Sequence, residues 1–193
     1  MLGLKLPTDP RWINIAEKNI EEILIDHAHC EQKAASTAIS LIVSFPEYTE
    51  LVNEMTDLVQ EEMSHFKMVH DLLQEKRIPL GRDRKDEYVI QLLKYFPKGG
   101  SRTDQLTHRL MYAALIEARS CERFRLLSEN LKDIKLARFY RKLMISEAGH
   151  YTLFLKLARQ YGDEEVVNKK WKLLLDFEAD IMKNLSKKES IHG

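Results

Sequence analysis

The chain has 193 residues, 44% hydrophobic and 31% charged, a size that supports one substantial core and disfavours two ordinary domains, so a single domain over 1–193 is expected. Thirty Lys and Arg balance thirty Asp and Glu, so no global field draws the protein to nucleic acid or anionic lipid, and a polyanion must be gripped by a local patch. Seven Gly and five Pro disfavour a many-turned β-architecture or a disordered chain, and Cys30 and Cys121 alone make no disulfide framework. The start, MLGLKLPTDPRW, carries no secretory apolar region, and a cytoplasmic location is expected. The longest nearly apolar run, Ala34 to Phe45, falls short of the roughly 20 residues that cross a bilayer, so no membrane partner is expected.

Between a few breakers, apolar residues recur at the three-and-four spacing of amphipathic helices. Asp9-Pro10 reads as an N-cap followed by Pro at the first helical position, opening a helical pattern over about 10–44 in which a kink is admissible. Phe45-Pro46 interrupts it, and a second helix is expected over about 48–77, ahead of Ile78-Pro79-Leu80-Gly81. Residues 78–102 hold Pro79, Gly81, Pro97, Gly99 and Gly100 around one short helical candidate, 85–95, and read as a crossover of about 25 residues. A third helix follows over about 103–130 and a fourth over about 133–161; Gly162 ends the fourth and Asp163 caps a fifth over about 164–185. From Ser186 the tail is expected to fray. Short links inside each helix pair and a long crossover between the pairs give the connectivity of an all-α, ferritin-like four-helix bundle, here with an additional C-terminal helix.

Two Glu-x-x-His pairs, Glu62 with His65 and Glu147 with His150, each set a carboxylate and an imidazole on one helical face. Nineteen Glu and seven His make roughly 0.7 such pairs the chance expectation, so their surroundings decide. Glu62 and His65 share a frame with Met55, Leu58, Val59, Phe66, Val69, Leu72 and Leu73, whereas Glu61 lies off it. Leu136, Phe139, Leu143, Phe154 and Leu157 bracket Glu147 and His150 in the same way. Both pairs therefore point inward, with no Lys or Arg on the same stripes near them. Burying such groups costs several kcal/mol per ion unless a strong positive partner is present, and a metal centre is the natural one. A di-iron carboxylate site needs one further Glu from each of the other two helices. Glu31 lies in the frame of Ile20, Leu24, His27, Ala34, Ala38 and Leu41, and Glu117 in that of Leu110, Ala113, Ala114, Cys121, Phe124 and Leu127. Glu122 is the weaker choice, because its frame runs through Arg125 and Glu129.

Residues at equal depth on two antiparallel helices lie nearly equidistant from the connecting turn. Glu31 and Glu62 are centred on 46–47, at Pro46, and Glu117 and Glu147 on 132, between Asn130 and Asp133. Offsets of 86, 85 and 85 residues carry Glu31, Glu62 and His65 onto Glu117, Glu147 and His150, an internal pseudo-repeat. Ligand softness leaves iron, manganese and zinc open, and the architecture favours iron. His27, one turn before Glu31, is expected to support the ligands from behind. His29, His70, His108 and His192 are expected to serve elsewhere.

The segments TDPRW (8–12), HCEQKAAS (29–36), EEMSHF (61–66), LIEARSCERF (115–124) and SEAGHY (146–151) resemble the MiaE family, tRNA hydroxylases acting on 2-methylthio-N6-isopentenyladenosine beside the anticodon. Gly149 departs from the pattern, which has a larger, often basic residue there. The resemblance implies two non-haem irons held by Glu31, Glu62, His65, Glu117, Glu147 and His150, with O2 as co-substrate and a prenyl terminal methyl group hydroxylated. It also implies an external reductase, since the chain has neither a CxxC iron site nor a GxGxxG dinucleotide turn.

From Lys76 to Arg109 nine Lys or Arg stand against four Asp or Glu, and Tyr88, Tyr95 and Phe96 lie among Arg82, Arg84, Lys85, Lys94, Lys98 and Arg102. This crossover is the candidate cradle for an RNA backbone and an exposed base. A second excess, Lys132, Lys135, Arg138, Arg141 and Lys142, reads as the exposed face of the fourth helix. The rival readings are a rubrerythrin- or bacterioferritin-like peroxidase or ferroxidase, and a metal-free helical interaction scaffold. The sequence leaves the oligomeric state open.

Overall fold

The computed structural model describes residues 2–185 and 190–192. Its helices are α1 (Trp12–Lys18), α2 (Ile20–Ser44), α3 (Thr49–Glu75), α4 (Glu87–Leu92) running into a 3-10 turn (Leu93–Tyr95), α5 (Arg102–Asn130), α6 (Ile134–Tyr161) and α7 (Glu164–Asn184). No strand occurs among the described residues, and no helix is long and apolar enough to cross a membrane. The expected elements are present, with two local differences at the first. Helix α1 starts at Trp12, after Pro10, because Asp9 accepts from the Arg11 N–H through Oδ1 at 2.8 Å and from the Trp12 N–H through its carbonyl at 2.9 Å. The helical run then breaks at Asn19, whose φ of −126° and ψ of 39° lie outside the helical basin and whose side chain makes no cap.

The chain forms two compact units. One holds residues 18–85 together with 190–191 and is built on the paired helices α2 and α3. From Ile23 to Glu31 nearly every α2 residue is buried, as befits a helix covered on several sides. Helix α3 is amphipathic, burying Leu51, Met55, Leu58, Glu62, His65, Val69 and Leu73 along one stripe. It closes with the Ile78 N–H on the Leu73 carbonyl and the Arg77 N–H on that of Gln74, both at 2.9 Å, the pattern of a Schellman cap. Arg77 takes φ 60° there, the left-handed position glycine usually fills.

The other unit holds residues 2–17, 86–185 and His192. Helices α5 and α6 pair, and α4 and α7 pack beside them. Helix α5 is its centre: from Ala113 to Phe124 every residue except Ile116 is buried. Side-chain oxygens of Asp86, Ser101, Asp133 and Asp163 cap α4, α5, α6 and α7 at 3.0–3.1 Å. At Gly162 a Cβ would come within 2.8 Å of both Thr107 Cγ2 and Val167 Cγ2, so close packing, with ordinary extended backbone, requires glycine between α6 and α7.

The fraying expected from Ser186 falls partly outside the described residues, on 186–189. Where the chain is described again the expectation fails: Ile191 and His192 are buried. The Ile191 N–H donates to Asp26 Oδ2 at 2.7 Å; His192 bridges Ser120 Oγ at 3.1 Å and Asp86 Oδ2 at 2.9 Å, and stacks on Tyr88.

Candidate metal centre

In the α2–α3 unit, Glu31, Glu62 and His65 meet in the interior. His65 Nδ1 lies 3.4 Å from Glu62 Oε2 and 3.7 Å from Glu31 Oε2, and one ligand atom from each of the three falls within 4.8 Å of the others. Atoms held about 2.0–2.2 Å from one first-row ion lie roughly 3 to 4.4 Å apart, so this spacing suits a shared metal. All three side chains are at most 6% exposed. Burial alone would lower the pKa of His65, but the carboxylates of Glu31 and Glu62 outweigh it and lift the imidazole to about 10. Burial likewise works against ionised Glu31, yet His27 and His65 hold its carboxyl well below the usual range. Carboxylates buried at this spacing call for positive charge beside them, which either a protonated His65 or a bound cation supplies. Glu61, off the frame as expected, is about half exposed, although its Oε1 comes within 3.8 Å of His65 Nε2.

The α5–α6 unit repeats the set with Glu117, Glu147 and His150. His150 Nδ1 lies 3.9 Å from Glu147 Oε2, a ligand atom of Glu117 falls within 4.8 Å of one of His150, and all three residues are buried. Burial, followed by the negative charge of Glu117, pushes the Cys121 thiol up to about 11, so it stays protonated and points instead at the Met144 carbonyl, 3.2 Å away.

Glu122 is buried too, but a different partner claims it. The Arg119 guanidinium sits between Glu122 and Glu178, and Thr8 donates to Glu122 through its N–H at 2.9 Å and its hydroxyl at 2.6 Å. Tyr88 donates to Glu178 at 3.3 Å. One face of α5 therefore carries a carboxylate neutralised by arginine, and another carries Glu117. Sequence periodicity misses Arg119 and Glu178, since their pairing spans 59 residues and has no local signature.

His27 stands as expected behind Glu31, with Nε2 2.6 Å from Oε1. His70 stacks on Phe66, His108 lies 3.1 Å from Lys170 Nζ, and His192 is bound as described above. The crossover requires a correction. Its cations Arg82, Arg84, Lys85, Lys94, Lys98 and Arg102 are exposed, but Tyr88 is fully buried and cannot stack on a base. Tyr95 and Phe96 are half-buried in a cluster with Phe177, His108 and Tyr112 that docks the crossover. A cleft of about 840 Å³ is lined by Leu6, Pro10, Arg11, Arg123 and Met182 among others, and by none of the six candidate ligands.

The family described as tRNA-(MS[2]IO[6]A)-hydroxylase (MiaE) matches residues 2–193. The chain belongs to the MiaE family. Its MiaE relatives include a protein of Pseudomonas putida named tRNA 2-(methylsulfanyl)-N(6)-isopentenyladenosine(37) hydroxylase, 38% identical over 190 residues, covering 98% of this chain and 91% of that one. A protein of the same name from Salmonella typhimurium is 28% identical over 239 residues, covering 98% and 87%. Among solved structures, "Protein 43 with aldehyde deformylating oxygenase activity" from Synechococcus shares 30% identity and a TM-score of 0.92, covering 98% of this chain and 95% of that chain. This MiaE chain thus has the all-α, ferritin-like fold that its sequence leads one to expect.

Proposed function

We propose that this protein hydroxylates the isopentenyl group of 2-methylthio-N6-isopentenyladenosine next to the anticodon of tRNA, in the cytoplasm. Two irons would be held by Glu31, Glu62 and His65 with Glu117, Glu147 and His150, and residues 1–193 would act as a single domain. The observation that carries the reading is the duplicated buried Glu, Glu, His set in a chain that matches the MiaE family over residues 2–193. When bound, the iron pair supplies the power to reduce O2 and oxidise an unactivated C–H bond. In balance, the substrate C–H becomes C–OH, and the second oxygen atom leaves as water with two electrons and two protons. A separate reductase must deliver those electrons.

The chain's own residues do the positioning. His27 fixes the orientation of Glu31 through the 2.6 Å bond. Leu58, Val69, Leu143 and Phe154, one turn before or after the Glu-x-x-His pairs, are buried and exclude water from the reacting groups. The Cys121 thiol is engaged by the Met144 carbonyl at 3.2 Å.

Nucleoside analysis of tRNA from cells with and without the gene tests the proposal. Deletion should abolish the hydroxylated nucleoside and leave its prenylated precursor in its place. Unchanged tRNA would overturn the assignment, and turnover of an aldehyde by the purified protein would then favour the activity named for the Synechococcus protein.

A further inference from the structure

We propose that the outer face of α6 is the docking surface for the phosphate backbone of the RNA substrate, an inference that rests on the tRNA reading above. Over its 28 residues α6 contains one acidic side chain, Glu147, and that one is buried. Lys135, Arg138, Arg141 and Lys142 are all exposed on the N-terminal half of the helix. Lys132, just before the helix, is held by Glu17 at 3.1 Å, but no carboxylate among the described residues pairs with Arg138, Arg141 or Lys142. Exposed cations left without local partners complement a polyanion.

The charge placement runs against the helix's own interest. Helices α2, α3, α5 and α7 open with an acid in the first turn (Glu21 and Glu22, Glu50, Asp104, Glu164 and Glu165), whereas α6 opens with none and carries Lys135 there. Cations near a helix N-terminus are mildly destabilising, and here the helix field adds to theirs. From Lys135 to Lys142 the helix rises about 10 Å, the reach of two or three successive phosphates of one strand.

Between Lys142 and Lys156 the outer face is uncharged. Ile145 is 65% exposed, and at Gly149 a Cβ would meet nothing within 4 Å. That bare stretch flanks Glu147 and His150 on the same helix, about 8 Å of rise beyond Lys142. A strand gripped by the cations would therefore run toward the middle of the helix, where the candidate ligands Glu147 and His150 lie. The crossover is the weaker platform: Asp83, Asp86, Glu87 and Asp104 interrupt its cations, Arg84 is bound to Glu22 at 3.1 Å, and its aromatic rings are packed inward. Phosphate contacts position an RNA without reading its sequence, so this face sets register rather than base choice.

The test measures binding of the full-length, iron-loaded protein to an unmodified anticodon stem-loop transcript by fluorescence anisotropy, from about 50 to 200 mM salt. The triple variant Arg138→Glu, Arg141→Glu, Lys142→Glu should lose about tenfold or more in affinity at low salt, and its log–log salt slope should be shallower by about 2, three lost contacts at about 0.7 each. Its iron content and helicity should match the parent, since all three sites are on the surface. A matched crossover variant, Arg82→Glu, Lys85→Glu, Lys94→Glu, should lose less. The proposal is overturned if the α6 variant binds like the parent, or if the larger loss falls on the crossover variant. Normal RNA binding with lost electron delivery from an acidic redox protein would reassign the face to a protein partner and equally overturn it. Normal tRNA hydroxylation in cells by the α6 variant would sink the docking face alone; absence of hydroxylation by the parent would sink the tRNA reading beneath it.

Discussion

His27 Nε2 lies 2.6 Å from Glu31 Oε1, one helical turn earlier on the same buried stripe of α2. The bond fixes which way a candidate metal ligand points before any metal arrives. Replacing His27 by Ala should leave the helix pairing intact and weaken iron binding by about 10- to 100-fold, the usual effect of removing a support behind a ligand. Competition with a chelator of known affinity measures it, and unaltered iron affinity would show that Glu31 needs no such support.

Arg119 is fully buried between Glu122 and Glu178, so its removal strands two carboxylates in the interior. Arg119→Met should destabilise the fold by about 3–5 kcal/mol in urea unfolding. A combined Arg119→Met, Glu178→Met variant should recover part of that loss, because the uncompensated charge goes with it.

The two carboxylates on Arg119 titrate in opposite senses. Burial raises Glu122, but Arg119 and Thr8 outweigh burial and set its pKa below the ordinary 4.5. Its contribution to stability is therefore present above pH 4.5 and lost as pH falls through the lower folded value. For Glu178 burial prevails over Arg119 and Tyr88, and the pKa rises. The fold thus favours its neutral form, a contribution full below 4.5 and lost as pH rises through the folded value. Unfolding measured across pH should show Glu122→Gln with a flatter acid limb than the parent. Glu178→Gln should gain on the parent as pH climbs from 4 toward 7; parallel curves for both variants would contradict the assignment.

Gly149 is exposed within α6 with open space where a Cβ would stand. Gly149→Ala should stabilise the protein by about 0.5–1 kcal/mol through lost freedom of the unfolded chain. Arg77, at φ 60° in the α3 cap, makes the converse case, and Arg77→Gly should gain a similar amount. Thermal unfolding reads both, and destabilisation by either would show an interaction of that site absent from its surroundings as described.

Periodicity and breakers were enough to place the helices and to turn Glu31, Glu62, His65, Glu117, Glu147 and His150 inward, because each is marked by neighbours three and four residues away. What escaped depends on partners distant in the chain. Glu122 looks like a surface residue in its own helix frame, and only Thr8, 114 positions away, together with Arg119 shows why it is buried. Tyr88 reads as a free aromatic in a basic loop until Glu178, 90 positions later, takes its hydroxyl. The break at Asn19 lacks a Gly, a Pro or a side-chain cap and so leaves no clear mark in the sequence. Likewise the basic run on α6 has the periodicity of any solvated face, and that no carboxylate among the described residues pairs with Arg138, Arg141 or Lys142 emerges only from the folded chain.

The central claim is met most directly by supplying isotopically heavy oxygen gas to the iron-loaded, reduced protein with prenylated tRNA, then weighing the nucleosides released. A tRNA hydroxylase working through the six ligands yields a hydroxylated nucleoside carrying one heavy oxygen atom, and Glu62→Ala or His150→Ala yields none. Prenylated adenosine recovered unchanged, or product formed equally by the ligand variants, would contradict the account.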